Sequence, residues 1–209
     1  MGTEEQWEMA TNGLIEALEE MNIDYILNEG DGAFYGPKID FQLEDAIGRT
    51  WQCGTIQLDF QMPERFDLSY VDKDNEKKRP VMIHRTIFGS MERFMGILIE
   101  HYAGKFPVWL APVQATILPI SDKFNDYAYE IKRQMEEKGL RVSIDTRAEK
   151  IGYKIREARL QRIPYMFIVG EKEVEGGLIS VNKRDEGDIG GFKVEEFIAR
   201  IIEEVENKK

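Results

Sequence analysis

The chain opens on a helical period. Trp7, Ala10, Leu14, Leu18 and Met21 recur on one face of a 3.6-residue turn, and Thr3 with Gln6 has the spacing of a capping box, so a helix is predicted over residues 3–21. A short strand is expected at Tyr25–Leu27. Glu29-Gly30-Asp31-Gly32-Ala33 is glycine-rich but matches no phosphate-binding fingerprint, and it is read as a turn. From Phe34 the period becomes two. Lys38, Asp40 and Gln42 alternate with Ile39, Phe41 and Leu43; past a turn at 46–49, Gln52, Gly54, Ile56 and Leu58 alternate with Cys53, Thr55, Gln57 and Asp59. Two strands of an antiparallel pair are predicted.

Residues 61–79 are charged and are read as a surface loop. The apolar run Val81-Met82-Ile83 then predicts a short buried strand, and Gly89-Ser90 punctuates it. A helix follows from Met91, with Ser90 as N-cap and Glu92 in the first turn, where the helix dipole favours an acid; Gly104 stops it. From Ala115 strands and helices alternate. Strands are expected at 116–118, 140–144, 165–169 and 178–182. Helices are expected from Ser121 to about Lys138, over about Lys150–Gln161 with Ile151, Ile155, Ala158 and Leu160 inward, and from about Val194 to Glu206. That alternation, closed by a hairpin, implies a mixed sheet with helices packed on it. The fold class is therefore α/β (α+β), with domains at 1–111 and 112–209.

Composition narrows the class. Three Trp and eleven Phe in 209 residues suffice for real cores, and one Cys rules out an internal disulfide framework and fits a reducing cytoplasm. The N-terminus is acidic and polar with no secretory apolar segment, and no apolar run reaches membrane-spanning length. A net charge of −11 opposes general nucleic-acid affinity. Its distribution changes the picture: residues 1–110 hold 10 basic and 20 acidic side chains, whereas residues 111–209 hold 18 and 19. Arg141, Arg147, Lys150, Lys154, Arg156, Arg159 and Arg162 concentrate in one stretch, either a solvated amphipathic helix or a local grip on an anionic partner.

Candidate chemistry gathers around residues 79–111. A strand carrying His84 feeds a helix carrying Arg93, and an arginine on such a joint can hold a phosphate with its planar fork. A lone His beside an apolar run is more often structural than a metal ligand, and a lone Arg in a first turn is usually solvated. Composition and spacing alone leave the function open.

The motifs are more specific than the spacing. IHR followed by GSMERF resembles the third signature motif of class II aminoacyl-tRNA synthetases. With YGPKID, WQCGTIQLDF, FPVWLAP and PYMFIVGEKE in this order, essentially the whole chain is similar to the threonyl-tRNA synthetases. The resemblance implies a truncated antiparallel-sheet catalytic domain followed by an anticodon-binding domain, with several hundred residues upstream in full-length members. It implies threonine–tRNA ligase chemistry, in which threonine is activated with ATP and magnesium and passed to its tRNA. Lys38 and Arg93 would be catalytic, and Gln52 and Thr55 would seat ATP with Arg93. Tyr35, Gln57 and Ser90 would line the threonine side. His84 would be one of three protein ligands to zinc, an ion able to take both the amino and hydroxyl groups of threonine and so reject valine. The other ligands, the dimer-forming motif of a homodimeric enzyme and a further ATP-binding arginine belong upstream. The chain alone is therefore expected neither to hold zinc tightly nor to make adenylate. Lys150, Arg156 and Glu173 match positions that contact the anticodon loop, while Ala148 stands for a usual Asn and Asn182 for a frequent Arg. The competing classes are a non-catalytic tRNA anticodon-binding module and a regulatory synthetase paralogue; retention of Lys38, Gln57, His84 and Arg93 argues against the latter.

Overall fold

The structure, a computed structural model, describes residues 2–209. It divides into two compact units, one reaching His101 and the other running from Tyr102 to Lys209. Its mixed α/β class is the one the pattern predicts.

The first unit opens with α1, Glu4–Glu20, held by the expected reciprocal cap: Gln6 N–H donates to Thr3 Oγ1 at 3.2 Å and Thr3 N–H to Gln6 Oε1 at 2.9 Å. Leu18 is buried, but Met21 stays exposed past the last turn. No strand forms at Tyr25–Leu27. Ile26 is almost wholly exposed, and no neighbouring strand pairs with this stretch.

Three antiparallel strands follow, β1 (Lys38–Glu44), β2 (Thr50–Asp59) and β5 (Met82–Thr86), in the order β1-β2-β5. The charged segment read as a loop holds a short helix, α2 (Gln61–Arg65), and a two-stranded ribbon of β3 (Tyr70–Val71) and β4 (Lys77–Lys78). Asp72 shapes the ribbon's turn, accepting N–H groups of Asp74 and Glu76 and pairing with Lys78. The strand expected at Val81–Ile83 forms as β5, starting one residue later, but is not buried: Val81 and Ile83 are exposed, and among the described residues β5 pairs with β2 alone, at the edge of the sheet. Helix α3 (Met91–Tyr102) begins where predicted, with Arg93 N–H donating to Ser90 Oγ at 3.4 Å.

The second unit is a five-stranded mixed sheet, ordered β10-β9-β8-β6-β7, built from β6 (Ala115–Pro119), β7 (Val142–Ile144), β8 (Tyr165–Val169), β9 (Leu178–Lys183) and β10 (Gly187–Lys193). Strands β7, β6 and β8 are parallel; β9 and β10 close it as the antiparallel hairpin. Helices α4 (Asn125–Glu137) and α7 (Val194–Glu206) supply Ile131, Met135, Phe197 and Ile201 to the larger core, against Ile117, Phe167 and Val181. Helix α5 (Ile151–Leu160) places Ala158 in a smaller cluster with Leu118, Ile163 and Met166. The short α6 (Glu171–Gly176) precedes β9.

Two expectations for this unit change. Ser121 caps no α-helix directly: a 3-10 turn over Asp122–Phe124 comes first, with no side-chain cap. On α5, Leu160 is exposed and Lys154 is buried instead. Lys154 Nζ donates to the carbonyls of Pro119 and Asp145 at 2.9 and 3.0 Å, stitching the ends of β6 and β7 to the helix. A long apolar stem with a satisfied ammonium fits a core position that a charge-based reading assigns to solvent.

Candidate functional site

In the first unit the sheet writes two rows of polar side chains across its strands. Lys38 lies opposite Gln57, and Gln57 opposite His84; one step along, Asp40 lies opposite Thr55, and Thr55 opposite Thr86. With Asp31, Gly32 and Ala33 of the preceding turn and Gln52, five of these six residues (all but Asp40) line a cleft of about 380 Å³.

Gln52 reaches this face through a bulge. Strict alternation puts Gln52 opposite in sense to Thr55 and Gln57. The register, however, pairs Phe41 with Gly54 and Gln42 with Gln52, leaving Cys53 as an extra residue on β2. One inserted residue reverses the side-chain parity, so Gln52 joins Thr55 and Gln57. Cys53 is thereby buried as a free thiol.

Asp40 is a hub between the two rows. It accepts from Lys38 Nζ at 2.5 Å, Gln52 Nε2 at 2.6 Å and Thr55 Oγ1 at 2.8 Å. The hydrogen bond that Lys38 donates to Asp40 outweighs partial burial and raises the Lys38 pKa, so the ammonium stays charged. Tyr35 donates its hydroxyl to Gln57 Oε1 at 2.9 Å. The backbone around Tyr35 lies hard against β2, with Leu58 N–H donating to Pro37 O at 3.0 Å and Phe60 N–H to Tyr35 O at 3.1 Å. Gly36 is required there, since a Cβ would stand 2.7 Å from the carbonyl carbon of Leu58.

His84 is half-exposed, with Nε2 2.8 Å from Oδ2 of the buried Asp59. Burial pushes the Asp59 carboxyl up, but the N–H of Met62, the His84 ring and the N–H of Gln61 together hold it below the usual range. Among the described residues no group of three His, Cys, Asp or Glu side chains could hold a metal ion. The donors present do not fit a resident zinc, because His84 stands alone and Asp59 is already engaged by three donors.

Ser90 and Arg93 lie outside the cleft's lining. Ser90 Oγ donates to Glu92 at 2.9 Å. Arg93 Nη1 donates to the carbonyl of Gln52 at 3.3 Å, and its guanidinium stands 5.5 Å from the Trp51 ring, as does that of Arg49. Trp51 Nε1 donates at 2.8 Å to Asp45, whose buried carboxylate also accepts the N–H groups of Ile47 and Arg49. Sequence reasoning missed Asp40, Asp45 and Asp59 as organisers. The alternation of Lys38, Asp40 and Gln42 signals Asp40, and that of Thr55, Gln57 and Asp59 signals Asp59; nothing in the pattern signals Asp45.

In the second unit the basic stretch is thinned. Arg141 is spent on the carbonyls of Trp109 and Ala111, Arg147 on Asp145, and Lys154 on the core. Lys150, at the N-cap position of α5, and Arg156 remain exposed. Glu173 instead accepts the Gly170 N–H at 2.9 Å and caps α6. Asn182 is buried, 3.5 Å from Nη2 of Arg159.

Residues 3–102 match the tRNA synthetase class II core domain (G, H, P, S and T), and residues 114–204 match the anticodon binding domain. The chain is 65% identical over its whole length to the threonine–tRNA ligase of Clostridioides difficile (strain 630) and 64% to that of Acetivibrio thermocellus. It spans about a third of the length of these relatives, 33% in each case. The RNA binding domain of threonyl-tRNA synthetase from Cryptosporidium parvum superposes with a TM-score of 0.87 at 44% identity, over 97% of this chain and 52% of that one. Prolyl-tRNA synthetase from the same organism shares the fold, with a TM-score of 0.66 at 23% identity over 87% of this chain and 39% of its own.

Proposed function

The chain belongs to the threonyl-tRNA synthetase family, pairing a segment of the class II core with an anticodon-binding domain, and from that premise we propose that it forms the C-terminal part of a cytoplasmic, homodimeric threonine–tRNA ligase. We assign residues 1–111 to the catalytic domain and 112–209 to the anticodon-binding domain. The observation that carries this reading is the cleft in which Lys38, Gln52, Thr55, Gln57 and His84 meet.

The geometry supports a division of labour. Lys38, held charged beside Asp40, supplies positive potential where phosphate charge develops. Gln52 and Thr55, oriented by the same carboxylate, offer amide and hydroxyl groups to a nucleotide. Gln57, fixed by Tyr35, faces the amino-acid side with His84. Arg93 grips ATP, presented as its magnesium complex, from the start of α3. A zinc ion able to take the threonine hydroxyl would need further ligands, because the described residues offer only His84 toward it. In the second unit Lys150, Arg156 and Glu173 meet the anticodon loop of threonine tRNA.

Two measurements on this chain test the reading. Threonine-dependent exchange of pyrophosphate into ATP is expected to stay at background; exchange above it would refute the assignment of further ATP and metal groups to other segments. Threonine tRNA is expected to bind in preference to other tRNAs. Arg156→Ala is expected to weaken that binding and lower its salt dependence by about one counterion. Equal binding of all tRNAs, unaffected by Arg156→Ala, would remove the anticodon assignment.

A further inference from the structure

We infer that Trp51 is a positioning residue for Arg93. Anchored by Asp45, its indole ring gives the Arg93 guanidinium a seat beside Gln52 while leaving the N–H donors of that group open to the phosphates of a nucleotide. The inference rests on the reading of Arg93 as the residue that grips ATP, but its first test needs no nucleotide.

The two arginines at this ring are held differently. Arg49, its guanidinium 5.5 Å from the ring centroid, is committed to carboxylates, with Nε 2.5 Å from Asp45 Oδ2 and Nη2 3.4 Å from Glu100 Oε2. Arg93 stands over the ring at the same 5.5 Å and, among the described residues, pairs with no carboxylate. The hydrogen bond that it donates, from Nη1 to the Gln52 carbonyl, is long at 3.3 Å. A carboxylate partner would take up the planar fork, whereas a ring face attracts the cation without consuming an N–H. A guanidinium seated in this way is held in place and can still donate two parallel hydrogen bonds to an oxyanion. The ring itself is anchored. Trp51 Nε1 donates to Asp45 Oδ2 at 2.8 Å, while Asp45 Oδ1 accepts the N–H groups of Ile47 and Arg49, and the Asp45 side chain is 1% exposed. Gln52 completes the link: its carbonyl meets Arg93, and its side-chain amide donates to Asp40 beside the cleft. One dipeptide thus joins the seat of the guanidinium to the cleft.

Arginine side-chain NMR spectra of the chain read the seat directly. The Nε–H and δ-methylene protons of Arg93, assigned by their loss in Arg93→Gln, are expected to lie upfield under the indole ring current and to show Overhauser contacts to the ring. Trp51→Phe keeps a ring face and is expected to retain part of the shift, whereas Trp51→Leu is expected to abolish it. Wild-type Arg93 signals at free-arginine positions, without contacts to the indole, would overturn the inference whether or not the variants fold. Titration with ATP and magnesium, followed in the same spectra, then separates positioning from packing. Loss of one exposed cation–π contact predicts binding about two- to five-fold weaker in Trp51→Leu, recovered in Trp51→Phe. In an Arg93→Gln background Trp51→Leu is expected to add no further loss. An equal loss with and without Arg93 would overturn the inference, because the ring would then act on the cleft by another route. A wild-type chain with a seated Arg93 that ATP leaves unmoved would instead remove the reading of Arg93 as an ATP ligand, so the two failures are read apart.

Discussion

Gly36→Ala tests how the cleft is built, because the residue has no left-handed backbone to excuse it and its constraint is purely steric. A Cβ would overlap the Leu58 carbonyl oxygen and sit 2.7 Å from its carbon. Carbon atoms in contact prefer about 3.5 Å or more, so the backbone at Gly36 must move away from β2 by at least roughly 0.8 Å. That opening stretches Leu58 N–H to Pro37 O and Phe60 N–H to Tyr35 O out of hydrogen-bonding range, from 3.0 and 3.1 Å. Two backbone bonds at about 1 kcal/mol each, plus the desolvation of whichever donors water cannot reach, put the cost at roughly 2–4 kcal/mol. The same motion carries Tyr35 away from Gln57. The assay is urea unfolding followed by tryptophan fluorescence, with Gly13→Ala as control: Gly13 sits in α1 with open space around it, and alanine there is expected to be neutral or to stabilise by up to about 1 kcal/mol. A Gly36→Ala chain within 0.5 kcal/mol of wild type, on the order of a surface substitution, would refute the close-approach argument.

Acid should weaken the first unit through three of its carboxylates. Asp45 is held low despite burial, by Trp51, Arg49 and Ile47. Asp59 is held low by the N–H of Met62, His84 and the N–H of Gln61, also against burial, and Asp72 by Lys78 and its turn's N–H groups. A carboxyl whose folded pKa lies below its unfolded one binds fewer protons in the native state. Its stabilisation is complete above the unfolded value of about 3.9 and is lost as pH falls through the folded value. Unfolding midpoints measured from pH 7 down to 2 should therefore hold steady and then drop below about pH 4, and Asp45→Ala should flatten the drop. A wild-type midpoint that is level to pH 2 would contradict these assignments. In the second unit, Lys154→Met keeps the apolar stem but strands the carbonyls of Pro119 and Asp145, and should cost about 2–3 kcal/mol in the unfolding of that unit. No measurable loss would mean that water replaces the ammonium.

What the chain discloses by period alone is mostly architecture. The Thr3–Gln6 cap, the antiparallel pair, the Ser90 start of α3 and the final helix at Val194–Glu206 all form as local rules require. The errors have a common origin in partners that no local pattern contains. Ile83 looks like core because it is β-branched and apolar, but burial depends on a layer packed over its face of the sheet, and Ile83 stays exposed on edge strand β5. Lys154 looks like surface because it is charged, yet two strand-end carbonyls wait for it. Family likeness sets Gln52 beside Thr55 while strict alternation points it the other way, and the extra Cys53 reconciles the two.

The cleft makes the same point about chemistry. Its candidate groups carry recognisable motifs, but Asp40 and Asp59, which orient them, are ordinary polar residues in alternating strands. They acquire meaning only when strand pairing sets Asp40 opposite Thr55 and the turn after β2 aims two N–H groups at one oxygen of Asp59. Each carboxylate then has no freedom left to choose its partner: Asp40 fixes Lys38, Gln52 and Thr55 together, and Asp59 leaves a single oxygen for His84. Groups held this way need no reorganisation when charge appears beside them, and that is the property electrostatic catalysis requires.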